Sequence, residues 1–275
     1  MLRIIKKTIQ TGIVTTKYPQ EQDIAPVGFR GEPTIDPDIC TFCGDCVDIC
    51  PPEVIQLTME KESGENILTL ACDGCIFCGR CEDVCTYGAI KLTQEYELAS
   101  KTKENLITTI RSKPSSDEDI EMMGKRLHLK IKNVFGRSLS IREVDAGSCN
   151  GCEVEVNALT NPIYDIERFG IHIAASPRHA DMLLVTGPVS RNMELALLKT
   201  YNATPEPKIV AAMGSCACNG GIFGNTYASG GGVDKFLPVD VYIPGCPPRP
   251  QAVIFGIMVA IDKLEEKTRK NEAKI

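Results

Sequence analysis

The sequence lacks the usual marks of a nucleotide-binding, membrane-spanning, secreted or nucleic-acid-binding protein. It has neither G-x-G-x-x-G after a strand nor G-x4-G-K-[ST], the glycine-rich loops that bind phosphate groups. The longest apolar run, residues 252–261, is too short to cross a bilayer. The first eleven residues include Arg3, Lys6 and Lys7 but no apolar leader segment, so no signal peptide is expected. The net charge of −6 argues against a nucleic-acid partner.

Cysteine is what the sequence has in excess, with fourteen in 275 residues. In a reducing, cytosolic setting, metal ligation explains so many thiols better than disulfide bonds do. The three histidines show no metal-ligand spacing to one another, and they are interpreted as structural. The sequence therefore predicts a protein whose chemistry depends on thiolate-bound metal.

Eight of the cysteines form two copies of the spacing C-x2-C-x2-C-x3-C, over residues 40–50 and 75–85. This pair is the signature of a two-cluster bacterial ferredoxin, in which the fourth cysteine of each run binds the other cluster. The short spacing lets three thiolates of one run reach successive irons of one cube. The predicted ligand sets are Cys40, Cys43, Cys46 and Cys85 for cluster 1, and Cys50, Cys75, Cys78 and Cys81 for cluster 2.

Two alternatives apply to these runs. Structural zinc could use the same thiols, but zinc sites usually pair two C-x2-C halves and do not place four cysteines in one run. Cys72 could start another C-x2-C register with Cys75. The glycine after Cys78 matches the glycine after Cys43, which favours the register starting at Cys75 and leaves Cys72 as a free thiol. Thr86 replaces the proline that usually follows the fourth cysteine, a change that should not remove ligation.

From residue 131 the pattern changes to alternating strands and helices. Strands are predicted at 139–144, 171–174, 182–186, 208–213 and 239–243, and helices at 153–159, 193–201 and 251–265. This alternation predicts an α/β doubly wound, flavodoxin-like domain with a mostly parallel sheet. Ligands gather at the carboxyl ends of strands in such sheets. Four cysteines that follow strands could together hold one zinc ion or one iron–sulfur cube: Cys149, Cys152, Cys216 and Cys246.

The expected organisation has five parts. Apolar residues at helical spacing near the start, followed by several prolines, predict a helix and an extended arm. The polar, charged run at 112–119 is typical of a linker. The predicted parts are the helix and arm at 1–36, an α+β two-cluster ferredoxin domain at 37–93, a linker at 94–130, the α/β domain at 131–266 and a charged tail at 267–275.

Three motifs of the α/β domain resemble the small subunit of membrane-bound, energy-converting [NiFe] hydrogenases. These are DAGSCNGCE at 145–153, MGSCA at 213–217 and IPGCPPRP at 243–250. That group includes formate hydrogenlyase and is related to the complex I subunit with the terminal iron–sulfur cluster. Complex I subunits carry adjacent cysteines where this chain has Cys149-Asn150-Gly151-Cys152, which favours the hydrogenase side. Residues 11–92 resemble the partner ferredoxin subunit of the same complexes, so the chain resembles a fusion of two subunits.

The resemblance implies that Cys149, Cys152, Cys216 and Cys246 ligate a proximal [4Fe–4S] cluster, which makes three clusters in all. Cys218 is then a free thiol, with the alternative that it ligates in place of Cys216. Glu153 is a candidate proton carrier toward the catalytic subunit, and the alternative is an ordinary acid at a helix N-terminus, favoured by the helix dipole. Asp145 and Arg142 are interpreted as ordinary surface charges.

Three clusters use twelve of the fourteen thiols, so the chain cannot supply the two C-x-x-C pairs that a NiFe centre of this family needs. The resemblance therefore implies a non-catalytic electron-transfer subunit, with the NiFe centre on a partner large subunit that forms H2. Further implied partners are membrane-embedded ion-translocating subunits and either soluble ferredoxin or a formate dehydrogenase-type donor. The expected location is cytoplasmic, peripheral on the inner face of the membrane. The alternatives are a nickel-free quinone- or sulfur-reducing relative and, more remotely, a zinc-binding structural protein.

Overall fold

The computed structural model of this chain describes residues 2–12, 14–16, 18, 23–60, 65–111 and 139–272. Helix α1 spans Leu2–Thr11, where the sequence predicts a helix. Within the described ranges, no helix is both long enough and apolar enough to cross a membrane.

Short strands and helices carry the two cysteine runs. The elements are, in chain order, β1 (Pro33–Ile35), α2 (Asp45–Asp48), β2 (Ile55–Met59), β3 (Asn66–Ala71), α3 (Arg80–Val84), β4 (Ile90–Leu92) and β5 (Ile107–Arg111). Strands β1 and β4 form one antiparallel sheet, and β3 pairs with β2 on one side and β5 on the other. Each cysteine run therefore leads into a strand that anchors it.

The two runs adopt the same backbone conformation. Phe42 and Phe77, each two residues after the first cysteine of its run, have positive φ angles of 55° and 53°. Gly44 and Gly79 follow with φ of 91° and 82° and precede α2 and α3. A positive φ is uncommon in a bulky residue. Because the same unusual turn occurs at the same place twice, the runs form one repeated loop.

The first part of the expected linker, residues 94–111, is folded, which corrects that prediction. Ser100 pairs with Tyr242 through two backbone hydrogen bonds of 3.0 and 2.8 Å. The last residues of this segment form β5, which buries Ile110 against the ferredoxin-like sheet. This segment folds because its backbone groups form hydrogen bonds with two sheet edges. The polar composition of the segment does not indicate such backbone bonds. Residues 112–130 lie outside the described residues.

The second half of the chain is an α/β layer structure. Its elements are β6 (Leu139–Asp145), α4 (Gly151–Ala158), β7 (Ile171–Ile173), β8 (Met182–Thr186), α5 (Arg191–Ala203), β9 (Ile209–Met213), α6 (Ser215–Asn219), β10 (Val241–Ile243) and α7 (Pro250–Glu272). The five strands run parallel in the order β10-β9-β8-β6-β7. This is the flavodoxin-like order, and it confirms the predicted fold class. Helix α7 runs through residues 267–272, which were expected to be a tail.

The sheet is buried on both faces. Every residue of β8 and β9 is buried, as expected for the centre of a parallel sheet. Leu184 of β8 packs in the cluster that contains α7 residues, whereas Leu183 lies in the cluster that contains Leu197 of α5. That second cluster also contains Leu68 and Leu70 of the ferredoxin-like region. The two halves of the chain therefore share this second cluster.

Candidate iron–sulfur sites

An open cavity beside α2 is lined by the four cysteines of the first predicted set. Its walls include Cys40, Cys43, Cys46 and Cys85, with apolar residues behind them. Cys85 comes from the second run in sequence, yet it lies with the three thiols of the first run. The packing of α2 against α3 brings it there. The cavity measures about 370 Å³ including its open mouth.

A second cavity of the same volume, about 370 Å³, lies beside α3. Its walls include Cys50, Cys75, Cys78 and Cys81, the second predicted set. Here Cys50 is the residue that crosses over from the other run. The two cavities are therefore related in the way that the internal repeat predicts.

The third set lies at the carboxyl edge of the parallel sheet. Cys149 follows β6, Cys216 lies in α6 after β9, and Cys246 follows β10. Cys152 lies in the first turn of α4. Burial raises the pKa of the Cys152 thiol, and the nearby Glu153 and the other three thiols of the set raise it further. The four sulfur atoms therefore share one electrostatic environment at the edge where ligands bind in this fold.

The two remaining thiols are buried away from solvent. Cys72 is 2% exposed and Cys218 is 0% exposed. The Cys218 thiol donates a hydrogen bond to the Ala212 carbonyl, with a sulfur–oxygen distance of 3.3 Å. Burial is the main cause that raises the pKa of both thiols, and the largest charge effect comes from Cys246 for Cys216 but from Asp73 for Cys218. The two thiols therefore have different surroundings, although they are only two positions apart in the chain.

Burial makes most of the clustered thiols weak acids. It raises the pKa of Cys46 and of Cys81 to about 11, and that of Cys75 to about 12. Because a thiol with such a pKa holds its proton at neutral pH, these residues become thiolates when a bound cation replaces the proton. Twelve soft sulfur donors in three sets of four fit iron–sulfur clusters well.

Backbone N–H groups point at some of these sulfurs. The amide of Phe77 donates to Cys75 Sγ and that of Ala89 to Cys85 Sγ, each at 3.3 Å. Burial acts to raise the pKa of Cys85, but backbone amides led by that of Ile90 outweigh it and lower the pKa overall. Amide donors to sulfur stabilise negative charge on a thiolate and help to set the potential of a bound cluster.

Glu153 is held by two hydroxyl groups. Ser148 donates to one carboxylate oxygen at 2.5 Å and Thr186 donates to the other. The carboxylate therefore connects the loop after β6 to the end of β8. Asp145, expected to be a surface charge, is exposed but accepts the amides of Gly147 and Ser148 at 2.7 and 2.8 Å. The proton-relay role of Glu153 stays a prediction.

Two residues beside the sites were missed by sequence reasoning. The Arg30 guanidinium donates to the Cys78 carbonyl at 2.6 Å. The Ser215 hydroxyl lies 2.5 Å from the Cys75 carbonyl oxygen. Ser215 stands beside a predicted ligand in the motif MGSCA, but its partner is 140 residues away in the chain. A contact of that separation leaves no pattern in the sequence.

Both halves of the chain match known protein families. Residues 149–260 match the family described as "NADH ubiquinone oxidoreductase, 20 Kd subunit", and residues 39–89 match the "4Fe-4S dicluster domain". "Formate hydrogenlyase subunit 7" of Escherichia coli is 49% identical over 151 residues, which are 55% of this chain and 58% of that protein. A "Probable membrane-bound hydrogenase subunit" of Pyrococcus furiosus is 47% identical over 144 residues, which are 51% of this chain and 86% of that protein.

A solved structure is also similar in sequence. It is described as "Structure of the membrane-bound sulfane sulfur reductase (MBS), an archaeal respiratory membrane complex", and the match has 39% identity and a TM-score of 0.42. The match covers 50% of this chain and 85% of the other chain. This chain spans little more than half the length of the formate hydrogenlyase subunit but most of the Pyrococcus protein. Because the match to the Pyrococcus protein covers 86% of that protein at 47% identity, and residues 149–260 match the family model, this chain belongs to the NADH ubiquinone oxidoreductase 20 Kd subunit family, with a 4Fe-4S dicluster domain ahead of the family domain.

Proposed function

We propose that this chain is an electron-transfer subunit of a membrane-bound [NiFe] hydrogenase complex. The observation that carries the electron-transfer part of the proposal is the grouping of cysteines into sets of four, two of them around matched cavities. Each set would hold one [4Fe–4S] cluster, a carrier of single electrons. The chain's own residues fix the spacing of the three sites and surround their sulfurs with amides and apolar side chains.

The three sets have distinct roles in this proposal. The two ferredoxin-like sets receive electrons from soluble ferredoxin or a formate dehydrogenase-type donor. The third set would lie nearest the catalytic partner, because its motifs resemble those of the hydrogenase small subunit, and Cys149 and Cys246 are exposed at the sheet edge. The two remaining thiols cannot form a NiFe site, so that centre would lie on a large subunit. Membrane-embedded ion-translocating subunits would hold the chain at the inner face of the membrane.

A nickel-free complex is the second candidate. The chain's family is described by a ubiquinone-linked enzyme, and a quinone- or sulfur-reducing complex needs the same three electron-transfer sites. What favours the hydrogenase is the first ligand pair, Cys149-Asn150-Gly151-Cys152, together with the two hydrogenase-type relatives.

Structural zinc is the third candidate, and the spacing of the thiols disfavours it. Zinc sites usually pair two C-x2-C halves, whereas residues 40–50 and 75–85 each place four cysteines in one run. A zinc site brings every sulfur within about 2.3 Å of one ion. In an iron–sulfur cube each thiolate binds a different iron, so the sulfurs of one set stand farther apart.

Elemental analysis of the complex, purified anaerobically from membranes through this chain, is expected to find nickel and iron. Nickel should approach one atom per chain, and iron should reach at least about twelve atoms from three cubes. Iron without nickel would contradict the hydrogenase proposal and favour the quinone or sulfur branch. Zinc in place of iron would contradict electron transfer altogether.

Replacing Cys218 with alanine is expected to leave the iron content unchanged, because this thiol is buried in the domain and donates a hydrogen bond to the Ala212 carbonyl. The free energy of unfolding should fall by about 1 kcal/mol through loss of a buried hydrogen bond. Iron per chain and a denaturant titration measure the two effects, with Cys216→Ala as the matched comparison. Loss of about four irons in the Cys218→Ala protein, with none lost in Cys216→Ala, would assign ligation to Cys218.

A further inference from the structure

Ser215 lies between the second and third cysteine sets. It is 1% exposed at the start of α6, and the next residue is Cys216 of the third set. Its hydroxyl lies 2.5 Å from the carbonyl oxygen of Cys75, a member of the second set. The same hydroxyl lies 3.0 Å from the carbonyl oxygen of Gly245, which precedes Cys246. One buried side chain therefore touches the backbone of both ligand loops.

The two carbonyls depend on this hydroxyl to different degrees. The Ser215 amide also donates to the Gly245 oxygen at 2.8 Å, so that carbonyl keeps a donor when the hydroxyl is removed. The contact between Cys75 and Ser215 has no such second bond from the amide. A hydroxyl has one proton and donates it to one acceptor at a time. The hydroxyl therefore acts chiefly on the loop of the second set.

This contact gives a short connected route between the two sets. It runs from the Cys75 carbonyl across one hydrogen bond to the Ser215 side chain, and then through covalent bonds to Cys216. Other contacts also join the ferredoxin-like region to the α/β domain. They are the two backbone hydrogen bonds between Ser100 and Tyr242 and the ion pair between Lys103 and Asp234, at 2.7 Å. Ser215 is the member of this interface that lies between ligand residues.

We infer that Ser215 is a positioning residue for electron transfer between the second and third sites, through a hydroxyl that holds the two ligand loops together. This inference rests on the three-cluster part of the proposed function. With clusters bound, one electron would leave the second site and enter the third, so the second site would be oxidised and the third reduced by one electron. No bond or proton of Ser215 changes in the step.

The test compares Ser215→Ala and Ser215→Thr in the anaerobically purified complex. Ser229→Ala is the matched control, because its buried hydroxyl also holds two carbonyls, of Pro188 at 2.9 Å and Gly224 at 3.1 Å, away from the ligand loops. Iron content shows whether the clusters are present. Electron equilibration after a light-driven injection of single electrons gives the rate, and pulsed EPR of the fully reduced protein gives the spin coupling between neighbouring clusters.

The expected result is a Ser215→Ala protein with wild-type iron, a severalfold slower equilibration and a weaker spin coupling between two clusters. Ser215→Thr, which keeps the hydroxyl, and Ser229→Ala should both match the wild type. Wild-type rate and coupling in Ser215→Ala would overturn the inference. If Ser215→Ala loses iron, the test depends on Ser215→Thr. Electron equilibration that is slower in Ser215→Thr than in the wild type would also overturn the inference. Absence of iron from the wild-type chain would instead overturn the proposed function, so the two failures are distinguishable.

Discussion

Replacing Cys85 with alanine is expected to remove the iron of the first site, although Cys85 belongs to the second cysteine run. The reason is its position, since Cys85 lines the same cavity as Cys40, Cys43 and Cys46. A [4Fe–4S] cluster that loses one of four thiolates is expected to be lost, so iron should fall by about four atoms of about twelve. Iron analysis and EPR of the reduced protein measure the loss.

Double variants make this test independent of any spectral assignment. Cys40→Ala combined with Cys85→Ala should lose no more iron than either single variant, because both thiols serve one site. Cys75→Ala combined with Cys85→Ala should lose about eight irons, because two sites are affected. Cys72→Ala is the control and should keep all of the iron. If the Cys75 and Cys85 changes together remove only about four irons, the crossover between runs is wrong.

Replacing Gly214 with alanine is expected to remove the third site. Gly214 has φ of 86° and ψ of 154°, a region that is essentially restricted to glycine. A Cβ atom built there would lie 2.6 Å from the sulfur of Cys152. The added methyl group would therefore displace a predicted ligand as well as strain the backbone. We expect a loss of about four irons, with the two ferredoxin-like sites retained.

Gly224 provides the matched control for this variant. Its φ of 54° and ψ of −153° fall in the same class of conformation, but no other atom lies within 4 Å of an added Cβ. Gly224→Ala should cost about 1–3 kcal/mol in stability from backbone strain alone and keep its iron. Equal iron contents in the two variants would show that the contact with Cys152 does not matter.

Local spacing predicted much of this molecule. The repeated C-x2-C-x2-C-x3-C pattern gives the same cysteine groups that the structure places around two cavities. The alternation of apolar runs predicted the parallel sheet, because strands such as β8 and β9 are buried on both faces. These features depend on residues that are close in sequence or on a fold with a regular period.

Contacts formed by docking could not be predicted in the same way. Ser100 and Ser215 look like ordinary polar residues in the sequence, and the candidate role of Glu153 does not indicate which residues hold its carboxylate. Their partners, Tyr242, Cys75 and Thr186, are 33 to 142 positions away. The first two pairs exist only after the ferredoxin-like region and the sheet have folded against each other, and the third forms only after α4 has packed beside β8 within the α/β domain. The strand β5 was missed for a related reason, because it is stabilised by backbone hydrogen bonds to the edge of β3, a strand that is distant in sequence.

The pairing of Ser100 with Tyr242 has a consequence for assembly. It joins an edge strand of the sheet to the ferredoxin-like region, a junction that would be an intermolecular interface if the halves were separate proteins. Because both halves belong to one polypeptide, their association is intramolecular and does not depend on the concentration of the protein. The ratio of the two halves is fixed at one to one, and dilution does not weaken their contact.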